Sequence, residues 1–167
     1  MRILGIDPGT LVVGYGLVLL DGRRYHSNDY GCIRIERKLP FPQRLKLISD
    51  ATTELLLRTM PDVVAVEEVY VTQNAKTTLR LGHARGVILL AAVNRGHVIS
   101  EYAPREIKQA VVGKGGASKR QVMWMISQLL ALPPENLEED AADALAVALC
   151  HGLRNTGNQI PVTSKLI

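Results

Sequence analysis

The chain has 167 residues, 47% hydrophobic and 22% charged, with a formal net charge of +4. That length supports one full core and is short for two, so a single domain is expected; no run of ~18 apolar residues is present to span a bilayer, and the amino terminus enters an apolar segment without room for a signal peptide, which points to the cytoplasm. Cys32 and Cys150 lie far apart and outside any ligand or redox spacing, so they read as buried free thiols and argue against a zinc site.

The first element is a buried strand at Arg2 to Asp7, followed by Pro8-Gly9 and a second apolar run from Val12 to Leu20. Asp7 at the exit of so apolar a strand either caps the turn with its side chain or needs partners, because an unpaired carboxylate beside a core costs several kcal/mol. A third strand is expected at about 24 to 35 after the hairpin signal Asp21-Gly22, which makes an antiparallel meander. Pro40 and Pro42 punctuate the chain, and Leu45, Ile48, Thr52, Leu55, Leu56 and Thr59 then recur at helical spacing, predicting a helix from about 42 to 59.

Val63-Val64-Ala65-Val66-Glu67 repeats the opening pattern of an apolar run ending in a carboxylate. A helix joining two such runs implies parallel neighbours, which would bring Glu67 out at the same sheet edge as Asp7. A long helix follows from Ala75 to Asn94, with Ala75, Leu79, Gly82, Gly86, Leu89 and Val93 on one stripe. Two interior glycines four residues apart suggest close approach to the sheet or to a second subunit, with sheet packing the expectation.

His97 to Tyr102 reads as a fifth strand, and Pro104 opens a helix to about Val112. After the loop Gly113-Lys114-Gly115-Gly116-Ala117, Ser118 with Gln121 forms a capping-box signature for a helix to about Ala131, in which Trp124 and Met125 read as packing residues. Pro133-Pro134 breaks the chain before a last, alanine-rich helix from Glu138 to Leu153, and residues 155–167 lose periodicity and read as a flexible tail.

Charge is unevenly distributed. Arg80, Arg85, Arg95, Arg105, Lys108, Lys114, Lys119 and Arg120 face only Glu101 and Glu106 in the stretch from 80 to 120, whereas Glu135 to Asp143 packs five carboxylates into nine residues. A basic surface around an acidic spot suits a metal-dependent enzyme acting on phosphates. Asp140 and Asp143 stand at i and i+3 on one helix face, separated by two alanines that leave the surface narrow. The helix dipole accounts for acidity at Glu138 and Glu139; it accounts less well for Asp143, which lies where the helix is already packed.

Four segments, Ile6-Asp7-Pro8-Gly9-Thr10, Val66-Glu67-Glu68-Val69-Tyr70, Leu81-Gly82-His83-Ala84-Arg85-Gly86 and Asp140-Ala141-Ala142-Asp143-Ala144, occur in the order found in the RuvC family of bacterial Holliday-junction resolvases. The chain resembles that family over nearly its whole length to about residue 153. The resemblance implies an α/β, ribonuclease H-like fold, a five-stranded mixed sheet flanked by helices, with the nuclease domain over residues 1–154. It implies that Asp7, Glu67, Asp140 and Asp143 are the catalytic carboxylates and metal ligands. Four crowded carboxylates repel unless divalent cations neutralise them, and oxygen-only ligands suit Mg²⁺, with Mn²⁺ able to substitute, two ions per site.

Position by position, the resemblance also assigns DNA contacts to Tyr70, Lys108 and Lys119. Tyr70 stands where phenylalanine is common and its ring could stack on an unpaired base or simply close the strand end; the two lysines could stabilise charge near the scissile phosphate or be plain surface residues. His83, where the family commonly has glutamine, reads as a helix-surface histidine. The activity implied is resolution of four-way DNA junctions by paired nicks, carried out by a homodimer working with RuvA and RuvB. Three rivals remain at this point: an actin-like phosphotransferase, suggested by Asp7-Pro8-Gly9-Thr10 but needing two lobes; a junction-binding module without cleavage; and a ribonuclease H acting on hybrids.

Overall fold

The computed structural model describes residues 1–69 and 73–155. Ten principal elements follow in chain order: β1 (Arg2–Asp7), β2 (Val12–Asp21), β3 (Arg24–Arg34), α1 (Phe41–Thr59), β4 (Val63–Glu67), α2 (Ala75–Asn94), β5 (Val98–Tyr102), α3 (Pro104–Val112), α4 (Lys119–Leu130) and α5 (Glu139–Asn155). The strands form one sheet in the order β3-β2-β1-β4-β5. β1, β2 and β3 pair antiparallel, joined through the tight turn in which Gly22 adopts φ +58, while β4 is parallel to both β1 and β5. This is the expected five-stranded mixed sheet.

Strand side chains alternate between two faces, and each face has its own core. Ile3, Val63 and Ala65 pack with α5, α3 and α4 through Leu145, Leu149, Val111 and Ile126. Leu4, Ile6, Val64 and Val66 pack on the other face against α1 and α2 through Ile48, Leu55, Leu56, Ala84 and Ile88. The inward stripe expected for α1 is the buried one: Ile48, Thr52, Leu55, Leu56 and Thr59. At roughly 25 cal/mol per Å² of apolar area, each fully buried Leu or Ile contributes about 1.5–3 kcal/mol.

α5 is the central helix. Residues 141, 142 and 144–153 of it are buried, and it can lie so close to β1 and β2 because the strands have glycines beneath it. A Cβ on Gly5 would overlap the carbonyl of Ala144, and one on Gly14 would overlap that of Asp140. Larger residues at those positions would push the helix off the sheet.

Three expectations need correction. The inward face of α2 is formed by Ala84, Ile88, Ala91 and Ala92, not by the stripe through Gly82 and Gly86. Both glycines face open space, and Leu79, Leu90 and Val93 around them are 62%, 57% and 59% exposed. The reason is that α2 packs through its alanines and Ile88, which leaves the glycine-bearing stripe to solvent. Trp124, read as a packing residue, is half exposed because α4 buries Val122, Ile126, Ser127 and Leu130 instead. Cys150 is fully buried as expected, but Cys32, near the outer end of edge strand β3, is only partly covered.

The capping box at Ser118 forms as predicted, with Gln121 N donating to Ser118 Oγ and Ser118 N to Gln121 Oε1. No helix among the described residues is long and apolar enough to cross a membrane.

Candidate active site

The alternation that builds the two cores also aims the first two carboxylates. In β1, Ile3, Gly5 and Asp7 share the face covered by α5; in β4, Val63, Ala65 and Glu67 share that same face. Because Ile6 pairs with Val66 in parallel register, Asp7 and Glu67 leave the sheet at neighbouring positions on one edge. α5 runs in the opposite sense, beginning at that edge, where the Gly14 backbone passes directly under Asp140. Asp143, one turn on, then faces Asp7 and Glu67.

The electrostatics register this convergence. Burial first, then the charges of Glu67 and Asp143, push the Asp7 carboxyl up to about 8; Asp140 adds to the same effect. The Asp7 and Glu67 carboxyls interact through a hydrogen bond that raises Asp7 and lowers Glu67. Glu67 is itself raised, by burial and then by Asp143, against the opposing pull of that hydrogen bond and of Lys119 and Lys108. Asp143 is raised by burial, opposed chiefly by Lys119. Three half-buried acids, each raised above the ordinary carboxylate range, form a cluster whose negative charge is only partly matched by nearby cations.

Two lysines supply part of that missing charge. Lys119 Nζ lies 3.2 Å from Asp143 Oδ2 and 3.4 Å from Glu139 Oε1, and both Lys119 and Lys108 act on Glu67. The lysines come from α4 and α3, so the structure gathers all four acidic candidates and both basic ones at one edge. Tyr70 lies outside the described residues. His83 is exposed on α2, as expected of a helix-surface histidine, and packs against Phe41.

Two supporting contacts escaped sequence reasoning. Arg85 Nε donates to the Glu67 carbonyl oxygen at 3.1 Å while its guanidinium pairs with Glu101, fixing the end of β4. Arg34, at the end of β3, pairs with Glu138 just before α5 begins. Arg85 was visible as one member of the basic run and of the segment Leu81 to Gly86, but neither reading tied it to Glu67, since the carbonyl it meets is 18 residues distant.

The donor chemistry of the cluster fits a hard divalent cation: it offers carboxylate oxygens without histidine, and its charge is unsatisfied. As the side chains stand, no group of three acidic, histidine or cysteine side chains among the described residues is already arranged around a cation point. The Asp7–Glu67 hydrogen bond and the Lys119–Asp143 pair turn the carboxyls toward protein partners instead. A cation would have to displace that proton and loosen that ion pair. A cavity of about 580 Å³ lies elsewhere, lined by Ala103, Arg105, Glu106, Gln109, Ala110 and Arg154, and includes none of the four carboxylates; a polymeric substrate needs an open edge rather than an enclosed pocket.

Comparison with known proteins identifies the family and the fold. The sequence model of the family "Crossover junction endodeoxyribonuclease RuvC" matches residues 3–151. The RuvC protein of Desulforamulus reducens is 47% identical over 151 residues, covering 90% of this chain and 93% of that one, and that of Syntrophotalea carbinolica is 50% identical with the same coverage. Among solved structures, Thermus thermophilus RuvC in complex with Holliday junction substrate superposes with a TM-score of 0.87 at 32% identity, covering 97% of this chain and 99% of that one. The sheet and its flanking helices are therefore the ribonuclease H-like fold, and the chain belongs to the RuvC family of crossover junction endodeoxyribonucleases, which are metal-dependent nucleases.

Proposed function

We propose that this chain resolves four-way DNA junctions by nicking phosphodiester bonds at the edge where β1, β4 and α5 meet, with Asp7, Glu67, Asp140 and Asp143 as ligands for two Mg²⁺ ions, Mn²⁺ substituting. The observation that carries the assignment is the convergence of Asp7, Glu67, Asp140 and Asp143 at one sheet edge, close enough that burial and the neighbouring acids push the Asp7 carboxyl up to about 8, because such a cluster gains when divalent cations offset its charge. Bound there, the ions would activate water on one side of a phosphodiester and stabilise the departing 3′ oxygen on the other.

The chain's own residues set the geometry. β1 and β4 hold Asp7 and Glu67 in register, Arg85 secures the exit of β4, and Gly14 lets α5 deliver Asp140 and Asp143 without a gap. Lys108 and Lys119 stand where they can meet developing negative charge on the phosphate. Tyr70, directly after this edge in sequence, is assigned to stacking on an unpaired base. Residues 1–154 act as one nuclease domain in this reading; of the expected tail, Asn155 closes α5 and the remaining residues lie outside the described ones.

A four-way junction presents two equivalent strands, so two copies of the chain related by a two-fold axis give two matching cuts. The surface assigned to the second copy is the solvent-facing stripe of α2 through Leu79, Gly82, Gly86, Leu90 and Val93, whose glycines would let two helices approach closely. Gly86→Arg is expected to shift the mass measured by light scattering from dimer to monomer. Cooperation with RuvA and RuvB belongs to the same proposal, on the strength of the family resemblance. The deciding experiment is a denaturing gel of a labelled synthetic junction: nicks in symmetric positions with Mg²⁺ and none with EDTA are expected, whereas bound but uncut junction in Mg²⁺ would refute the assignment.

A further inference from the structure

α1 and α2 meet on the shoulder of the edge that carries Asp7 and Glu67, and there one aromatic ring gathers two cations. Arg44 Cζ lies 5.4 Å from the centre of the Phe41 ring, and Arg80 Cζ lies 5.3 Å from the same centre. The imidazole of His83 packs on that ring at 5.9 Å, tilted by 59°. The two guanidinium groups can therefore be no farther apart than the sum of their distances to the ring.

Among the described residues neither arginine meets a carboxylate. Arg34, Arg58, Arg85 and Arg154 each form an ion pair, but among the described residues no ion pair includes Arg44 or Arg80. Arg44 Nε is moreover buried with no acceptor. Two like charges drawn to one ring repel each other, and the ring face offsets this only in part. Two such cations without a carboxylate partner among the described residues draw an anion, and the planar fork of arginine matches phosphate oxygens.

The position fits a long polyanion already engaged nearby. Arg85 touches the carbonyl of Glu67, so Arg80, five residues earlier on α2, stands ~7.5 Å farther along the helix, beyond the sheet edge. Ile35 N donates to Leu11 O at 2.8 Å, which ties the segment leading into Phe41 to the loop after Asp7. The cluster thus projects past the same edge as the carboxylates, on the opposite face of the sheet from α5.

We propose that Phe41, Arg44 and Arg80 form a clamp for a DNA backbone phosphate distinct from the one that is cut. The clamp fixes how the duplex arm lies across the α1–α2 shoulder while a different phosphate sits at the acidic cluster. This inference rests on the DNA-cleaving reading above.

The test uses the full chain and a fluorescein-labelled four-way junction in EDTA, with affinity measured by anisotropy across a salt series. Arg44→Gln and Arg80→Gln are each expected to weaken binding about tenfold and to reduce the slope of log K against log salt by ~0.9, the signature of one lost phosphate contact. Phe41→Leu, which keeps both charges, is expected to weaken binding with the slope unchanged. Single-turnover nicking of the saturated complex in Mg²⁺ stays at the wild-type rate in all three. Should Arg44→Gln fail to fold, Arg80→Gln on the exposed side of α2 carries the test. An unaltered salt slope in Arg80→Gln, or a slope change explained by dissociation of the dimer, overturns the clamp and leaves the nuclease assignment standing. A wild-type chain that neither binds nor nicks the junction removes both.

Discussion

The Lys119 ammonium lies 3.2 Å from the Asp143 carboxylate, so a residue from α4 occupies the electrostatic position that a cation would claim beside α5. The lysine side chain is 60% exposed, which leaves it free to swing toward a phosphate once its partner is taken up elsewhere. Lys119→Met is expected to slow nicking by about 10²-fold through lost charge stabilisation, while junction affinity falls much less. Single-turnover rates at saturating protein check this. An equal loss in affinity and none in rate would make Lys119 a docking residue only.

In the proposed site, Asp7→Asn removes a metal ligand and no phosphate contact. Nicking should drop by several kcal/mol of transition-state stabilisation, about three orders of magnitude, with binding of the uncut junction nearly intact. The same variant should behave like wild type stripped by EDTA. Anisotropy titrations beside gel-based cleavage rates separate the two effects.

The raised Asp7 carboxyl also sets a dependence of stability on pH. In the metal-free fold Asp7 keeps its proton to about 8, against an ordinary value of 3.8, so the folded state binds more protons than the unfolded one between those limits. The stabilisation from this group is complete below about 4 and is lost as pH rises through about 8. Metal-free wild type should therefore lose melting temperature relative to Asp7→Asn between pH 6 and 9, and Mg²⁺ should reverse the trend. A wild-type-minus-variant difference that stays flat with pH would contradict the proton assignment. Paired thermal melts across that range, with and without Mg²⁺, measure it.

Gly14→Val tests the seating of α5. A side chain there would collide with the Asp140 backbone, and overpacking of this kind costs typically 1–3 kcal/mol. Because the collision displaces the turn bearing Asp140 and Asp143, cleavage at a temperature where the variant remains folded should fall by more than tenfold. Urea unfolding combined with cleavage assays on the folded fraction distinguishes displacement from mere instability.

Much of this arrangement was legible in the residues themselves. The matching runs Ile3 to Asp7 and Val63 to Glu67 predicted parallel strands with both acids at one edge, and strand alternation then fixed their common face. Asp140-Ala141-Ala142-Asp143 predicted a slim acidic helix face, which the glycines of β1 and β2 receive. The stripe of α2 was misread because a glycine in a helix signals room for a close neighbour without saying which one. Ala84 and Ala91, only a methyl larger, turned out to face the core, while Gly82 and Gly86 stayed outside. Arg85 on the Glu67 carbonyl and the arginine pair on Phe41 depend on how helices α1 and α2 are placed over the sheet, and no local spacing encodes that placement.

α5 carries Asp140 and Asp143 at one end and, three turns later, His151, whose Nδ1 is 2.8 Å from the Tyr102 hydroxyl at the tip of β5. A stiff helix transmits displacement along its axis, so any change that reseats its far end also moves the acids at its start. Substitutions that wedge between His151 and Tyr102 should thus disturb the acidic cluster twice over, through the axis of α5 and through β5, where Tyr102 pairs in register with Glu67.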